Sequence, residues 1–354
     1  MDRKLLEKLS NSLENTDETT RIYAAEDLGY EKCLEAAELL LNRLPHEQSI
    51  AVREAIKRAL ANIDSEDLVE KLAELLGNQD AFIRNMAVTH LRKVGSKKAN
   101  FLLKHMKSAT DPDIRKFILD IAIDFEEKTA HPFFAEGLKD PDINVLIRAV
   151  EGSGQFHYSD FREKIEEFVQ SRNEPMLLMA CFDALSSIGS EQTLPVIEKR
   201  FGEFEKVREF YLRPMLKIYG KVGKTDNISR LEKICQLKPH LTDFVLSSAI
   251  LPIFSRFSED PIPETILSMI QESVEKELPE KDKLDIYYLI GSRQKNPKIR
   301  TLIETSLNSK NRINRLGAAI ALSMLSSEIS RELINNRLKI EKDPEVKEML
   351  QHVF

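Results

Sequence analysis

The stretch NQDAFIRNMAVTHLRKV (residues 78–94) decides the fold, and TDPDIRKFILDIAIDF (residues 110–125) repeats its plan 31 residues later. In the first, Ile83, Met86, Ala87, Leu91 and Val94 fall on one face of a helix with 3.6 residues per turn. In the second, the same face collects Ile114, Phe117, Ile118, Ile121, Ala122 and Phe125. Each stretch opens with Asp80 or Asp111. An aspartate at the N-cap accepts a hydrogen bond from an orphan backbone N–H, worth about 1 kcal/mol. Pro112 suits the first helical position because it has no N–H to lose.

The opening phrase recurs: an acidic residue, then a β-branched residue followed by Arg or Asn. Good copies end at Arg84, Arg115 and Asn144. Weaker ones end at Arg21, Arg53, Arg208, Asn314 and Lys347. The spacings are 32, 31, 31, 29, 64, 106 and 33, so the larger gaps span two and three periods of about 32 residues. A degenerate copy stands at Leu178, and the longer gap passes near Thr242 and Lys283. Asp–Pro also occurs at 140–141, 260–261 and 343–344, each read as a further helix start. Before each phrase lies another amphipathic run, such as Asp67–Leu76. The unit is therefore a pair of antiparallel helices, and about eleven units fill the chain. A helix pair cannot bury its apolar face alone, so neighbours must stack. At 8–10 Å between helix axes, eleven units predict one array of residues 1–354 roughly 100 Å long. Bends are expected near 152–160, where Gly152 and Gly154 weaken a helix, and at 258–263 (SEDPIP). Pro214 and Pro252 predict kinks.

The phrase resembles the HEAT family, including the HEAT-like repeats of phycobilin lyases. The matching residues are the β-branched/Arg pairs 52–53, 83–84, 114–115 and 207–208, with Asp80 and Asp111 four residues before their Arg. The resemblance is specific over roughly 65–156 and looser elsewhere. It implies an all-α fold, a right-handed superhelix of helix pairs. The second helices would line a concave face, and the Arg–Asp pairs would form a ladder between units. Tetratricopeptide arrays share the period, but their Trp-containing signature is missing, as this chain has no Trp.

Recurrence at the repeat period gives Arg53, Arg84, Arg115 and Arg208 a structural role. Asp80–Arg84 and Asp111–Arg115 are the expected ladder pairs, because Arg binds carboxylates bidentately. Charge elsewhere is blocked along the chain. Residues 1–80 carry net −8, 81–120 net +6, 121–198 net −9, 199–238 net +6, 239–292 net −6 and 293–315 net +6. The best-defined basic stripe is Lys206, Arg213, Lys217 and Lys221, which share one helix face with Glu209. Val207, Phe210, Tyr211, Met215 and Ile218 take the opposite, apolar face. The stripe fits a site for an acidic partner. It is also what a solvated face offsetting acidic neighbours would show.

No constellation in the sequence argues for catalysis. His46-Glu47 evokes the His-Glu dipeptides of deoxyhypusine hydroxylases, but no other histidine here precedes a Glu. One pair does not make a di-iron site, so it reads as a turn and no metal or cofactor is expected. Gly223-Lys224-Thr225 resembles the end of a phosphate-binding loop, yet Ile218 stands where that motif needs Gly, and the segment follows a helix. Cys33, Cys181 and Cys235 are widely spaced in apolar helical contexts and read as core thiols of a reducing compartment. HEAT-like DNA glycosylases use a cationic concave face and typically Trp. The net charge of −6 and the missing Trp argue against nucleic acid. The apolar runs Phe244–Phe254 and Ala318–Leu325 are too short to span a bilayer, and the N-terminal MDRKLLEKLSNSLEN has no apolar core of a signal peptide. The expectation is a cytoplasmic, non-catalytic scaffold that holds a protein or peptide with an acidic patch on its concave face. An enzyme or subunit of the phycobilin lyase type is the alternative, and a DNA-binding or repair protein ranks behind it.

Overall fold

A computed structural model of the chain describes residues 3–63, 66–202, 207–257, 261–293, 296–324 and 328–352. All regular structure among the described residues is helical. The chain divides into two compact units, Met1–Phe161 and Arg162–Phe354.

The first unit contains α1 (Arg3–Leu13), α2 (Glu18–Glu31), α3 (Leu34–Arg43), α4 (Ile50–Ala61), α5 (Leu68–Glu74), α6 (Ala81–Val94), α7 (Ala99–Ser108), α8 (Pro112–Ala122), α9 (Glu127–Gly137) and α10 (Ile143–Gln155). These form five hairpins. The second helices stack on one another, α2 on α4 and α6 on α8 on α10, and the first helices form a parallel row. The core lies between the rows. Val52, Ile56, Leu60, Leu91, Ile118, Ala122, Val145 and Ala149 come from the second helices, and Leu40, Leu72, Leu102 and Phe134 from the first; all are buried.

The second unit contains α11 (Arg162–Ser171), α12 (Pro175–Ile188), α13 (Thr193–Phe201), α14 (Glu209–Val222), α15 (Ile228–Leu237), α16 (Thr242–Val245), α17 (Leu251–Arg256), α18 (Glu264–Glu275), α19 (Glu280–Gly291), α20 (Pro297–Leu307), α21 (Arg312–Ser323), α22 (Glu328–Leu338) and α23 (Pro344–Gln351). A π-helical segment, Leu246–Ile250, joins α16 to α17, so this unit reads as six hairpins. Its second helices again pack in series: α12 on α14 on α17, and α19 on α21 on α23. The two units together supply the eleven helix pairs that the repeat period predicts.

Helix starts follow the local chemistry of the phrase. The carboxylates of Asp17, Asp80, Asp111 and Asp343 each accept a backbone N–H at the start of their helix. One start differs from expectation. In KDPDIN the cap is Asp142, not Asp140, and α10 begins at Ile143. Asp140 is committed elsewhere: its carboxylate accepts from Asp142 N–H and from Arg115. Asp260 lies outside the described residues.

The expected irregularities resolve individually. Gly152 and Gly154 do not break α10, which runs on to Gln155. A methyl group at Gly152 would overlap the Phe134 ring, so that glycine serves close packing. A turn follows at His157, where φ is 56°. Residues 258–260 of the SEDPIP stretch lie outside the described residues. Pro214 sits inside an unbroken helical segment. Pro252 follows the π-helical turn, which absorbs the backbone hydrogen bond that proline cannot make.

Candidate functional site

The repeated arginines separate structural charge from available charge. Arg21, Arg84, Arg115 and Arg315 make the same contact. Each Nη1 donates to the carbonyl oxygens five and six residues earlier, in the loop before its own helix. The acceptors are Asn15 and Thr16, Asn78 and Gln79, Ala109 and Thr110, and Ser309 and Lys310, at 2.7–3.2 Å. In three of them the remaining edge of the guanidinium reaches an acid of the next hairpin. Arg21 grips Glu47 at 2.9 and 3.1 Å, Arg115 grips Asp140 at 2.6 and 2.8 Å, and Arg315 grips Glu341 at 2.9 and 3.1 Å. Arg53 donates to Asp80 in the same sense. The three fork-like pairs each tie one loop to its own helix and to its neighbour.

The ladder therefore runs in a different register from the one expected. Asp80 pairs with Arg53, not Arg84, and Arg115 pairs with Asp140, not Asp111. The reason is geometric. An N-cap aspartate turns its carboxylate toward the first N–H groups of its own helix, while the Arg four residues on reaches back to the preceding loop and outward to the next unit. Arg84 holds its own loop carbonyls, and Asp111 caps α8. Arg208 is exposed at the residue before α14. Sequence reasoning missed Glu47, Asp140 and Glu341 as rungs. The available signal was an acid 25 or 26 residues after each of these arginines, two residues ahead of a backbone N–H that it also accepts: Ser49, Asp142 and Asp343.

Glu47 and Glu341 anchor matching clusters. Arg43 also donates to Glu47, as Arg337 does to Glu341, so both triads have arginines 26 and 4 residues before the glutamate. Burial alone would raise each carboxyl. The Arg21 guanidinium and Ser49 N–H outweigh it at Glu47, with Arg43 assisting. Arg315, the Asp343 N–H and Arg337 do so at Glu341. Both carboxyls are held at about 2. His46-Glu47 is accordingly a structural rung. Gly223-Lys224-Thr225 is a helix end running into the turn Thr225–Asn227, with Lys224 paired to Glu191 at 2.7 Å.

Lys283 occupies the place of a ladder arginine, 32 residues before Arg315, yet residue 309, the counterpart of the acceptor 26 residues on, is Ser. Lys283 is 1% exposed, and desolvation lowers its pKa.

Beyond the ladder, the cations of the stacked helices differ in their surroundings. In the first unit four of them face carboxylates: Arg58 to Glu26 at 3.7 Å, Arg92 to Asp124 at 3.4 Å, the half-buried Lys116 to Asp120 at 3.3 Å, and the half-buried Arg148 to the same Asp120. On α14, Arg213, Lys217 and Lys221 point outward at four-residue intervals, and no described carboxylate lies within 4 Å of them. Lys206 lies outside the described residues. The nearby acids are engaged, with Glu209 2.9 Å from His240 and Asp243 accepting from Ser273. Arg213 lies over the Phe244 ring at 4.8 Å, which orients its guanidinium while leaving it exposed. The apolar side of α14 is as expected at Tyr211, Met215 and Ile218, all buried, and Val207, ahead of the helix, is buried too. Phe210 departs from it, being 43% exposed at the edge of the face.

An array of stacked helix hairpins tied by a half-buried arginine ladder, with outward-facing cations along one helix, is the architecture of an α-solenoid. The HEAT repeats family matches residues 37–119, the hairpins from α3 to α8, so that stretch is built of HEAT repeats. No curated protein matches its sequence. Among solved structures it is similar to Kap95p in a complex with RanGDP, with 12% identity and a TM-score of 0.53. That match covers 98% of this chain and 55% of the other, so this chain spans about half the neighbour's length. It is also similar to a chain in the complex of CpcE and CpcF of phycocyanin lyase from Nostoc sp., with 20% identity, 66% of this chain and 94% of that one covered, and a TM-score of 0.29. No helix among the described residues is long and apolar enough to cross a membrane.

Proposed function

We propose that this chain is a non-catalytic scaffold of the cytoplasm whose α14 face binds an acidic segment of a partner protein. The observation that carries this reading is the row Arg213, Lys217 and Lys221. These three exposed cations have no described carboxylate within ion-pair reach, on a fold that pairs Arg58, Arg92, Arg148 and Arg312 with acids. Exposed unpaired cations raise the local positive potential and speed encounter with an anionic surface. The chemistry elsewhere supports a binding role. The Cys181 thiol is pushed up to about 12 and the Cys235 thiol to about 11, both by burial first, so neither is a thiolate nucleophile at neutral pH. Buried thiols of this kind suit a reducing compartment.

The test is chemical crosslinking of the full chain to its captured partner, followed by mass spectrometry and by charge reversal. Arg213→Glu with Lys217→Glu is expected to abolish capture while leaving the thermal melt in place. Undiminished capture of the same partner would remove α14 as the site.

A further inference from the structure

The cationic row does not stand alone. Its neighbouring helices repeat with a period of 34 residues: Leu178, Cys181 and Leu185 of α12 are buried, as are Leu212, Met215 and Tyr219 of α14. The same step carries Met176 onto Phe210, and Phe210 onto Phe244 just before the π-helical segment. Met176 is 68% exposed, Phe210 is 43% exposed and Phe244 is half-buried. Three large apolar side chains thus hold positions related by the period on α12, α14 and α16, and α14 packs on α12 and on the π-helical segment that continues α16. At the α16 end Arg213 of α14 lies over Phe244, which places that ring beside the cationic row. Buried aromatic and apolar anchors, more than rim charges, decide affinity at protein interfaces.

We infer that the α14 face takes a short acidic segment carrying an apolar anchor residue at one end: the anchor seats on Met176, Phe210 and Phe244, and the acids follow along Arg213, Lys217 and Lys221. This inference rests on the reading that α14 binds an acidic partner. The occupant follows from charge complementarity and spacing. Successive cations four residues apart on a helix are separated by about 6 Å. Alternate side chains of an extended peptide recur at about 6.6 Å, so acids at every second position meet successive cations. Across the row, α12 presents Asp183 and Ser187 at the positions matching Lys217 and Lys221, so one neighbouring helix adds a single acid to the path. A polyanion without an anchor, nucleic acid included, would use the charges and ignore the apolar row.

The experiment uses the full chain and three fluorescent probes: a short peptide with a leading Phe followed by Glu at alternate positions, the same peptide with Ser for Phe, and a single-stranded oligonucleotide. Anisotropy is read at about 50 and about 300 mM salt, where screening lengths differ by a factor of about 2.5. The anchored peptide is expected to bind about tenfold more tightly than the unanchored one and to keep that advantage at the higher salt. Phe210→Ser and, separately, Met176→Ser should erase the advantage and leave the unanchored peptide unaffected. Met176 is mostly exposed, so its variant tests the row without loosening the core. Equal binding of the two peptides overturns the anchor while sparing the electrostatic reading. Tighter binding of the oligonucleotide than of either peptide overturns it as well. If both peptides bind unchanged to the Arg213→Glu, Lys217→Glu chain, the reading of α14 as the acidic-partner site falls, and the anchor with it.

Discussion

Replacing Glu47 by glutamine removes one negative charge from the middle of a rung without changing its shape. The wild-type carboxylate is almost wholly buried. It receives Arg21 through Nε and Nη2, Arg43 through Nε and Nη2, and the Ser49 N–H. Against the upward push of burial, those donors hold it at about 2, where an ordinary glutamate stands at 4.5. That difference corresponds to about 3 kcal/mol of stability at neutral pH, since each pKa unit is worth about 1.4 kcal/mol. Solvent screening takes little from this figure, because the side chain is 1% exposed. The neutral amide would leave two arginines without a buried counter-charge. For a unit of this size the melting temperature should fall by about 6–12 °C. The pH dependence has a definite sign. The folded-state carboxyl titrates below the unfolded one, so its contribution is complete above about pH 5 and disappears as pH falls from about 4.5 toward about 2. The gap between parent and Glu47→Gln should be flat from about pH 7 to about 5.5 and narrow below that. Urea titrations followed by far-UV circular dichroism suit a chain without Trp. A gap below about 1 kcal/mol at neutral pH, or one undiminished at about pH 3, would refute the claim that the rung is a charged clamp.

Arg84→Ala removes the two bonds to the Asn78 and Gln79 carbonyls and should destabilise by about 1.5–3 kcal/mol, while anisotropy of a peptide at α14 stays as in the parent. Lys283→Met should stabilise by about 1–3 kcal/mol at neutral pH, because it removes a desolvated ammonium from a rung without a carboxylate. The lysine's pKa is lowered on folding, so the penalty is present at neutral pH and fades as pH rises toward 10.5. The gain from methionine should shrink in alkaline melts. Gly220→Ala places a methyl against the Ser248 carbonyl of the π-helical segment. It should lower stability by about 1–3 kcal/mol in a thermal melt.

The hairpin plan is legible in the sequence because its signals are local. An N-cap aspartate, a first-turn proline and a 3.6-residue apolar stripe each act within one helix, and α6 and α8 form where these features stand. The rung acceptors are not legible for the opposite reason. Glu47, Asp140 and Glu341 lie a whole hairpin away from their arginines, and a nearer acid four residues back offers a competing partner. At the last ladder arginine the repeated phrase points one residue early, to Asn314, because Ile313-Asn314 imitates the β-branched/Arg pair while Arg315 makes the contacts. Periodicity places Phe210 on the apolar side of α14 because it assigns a face but not the width of the groove that covers it. The π-helical turn before Pro252 depends on how α14 and the following helix approach at Gly220, which no single-segment pattern records.

The two-handed arginines make some junctions latches and leave others without one. Where the second hand is engaged, as at Arg21, Arg53, Arg115 and Arg315, adjoining hairpins are fastened by side-chain charge as well as by shared apolar surface. At Arg84 the second hand meets no described carboxylate, and at Lys283 the latch has no catch. Under mechanical load the junctions without an engaged second hand, those after Arg84 and Lys283 among them, should part before the four that are latched.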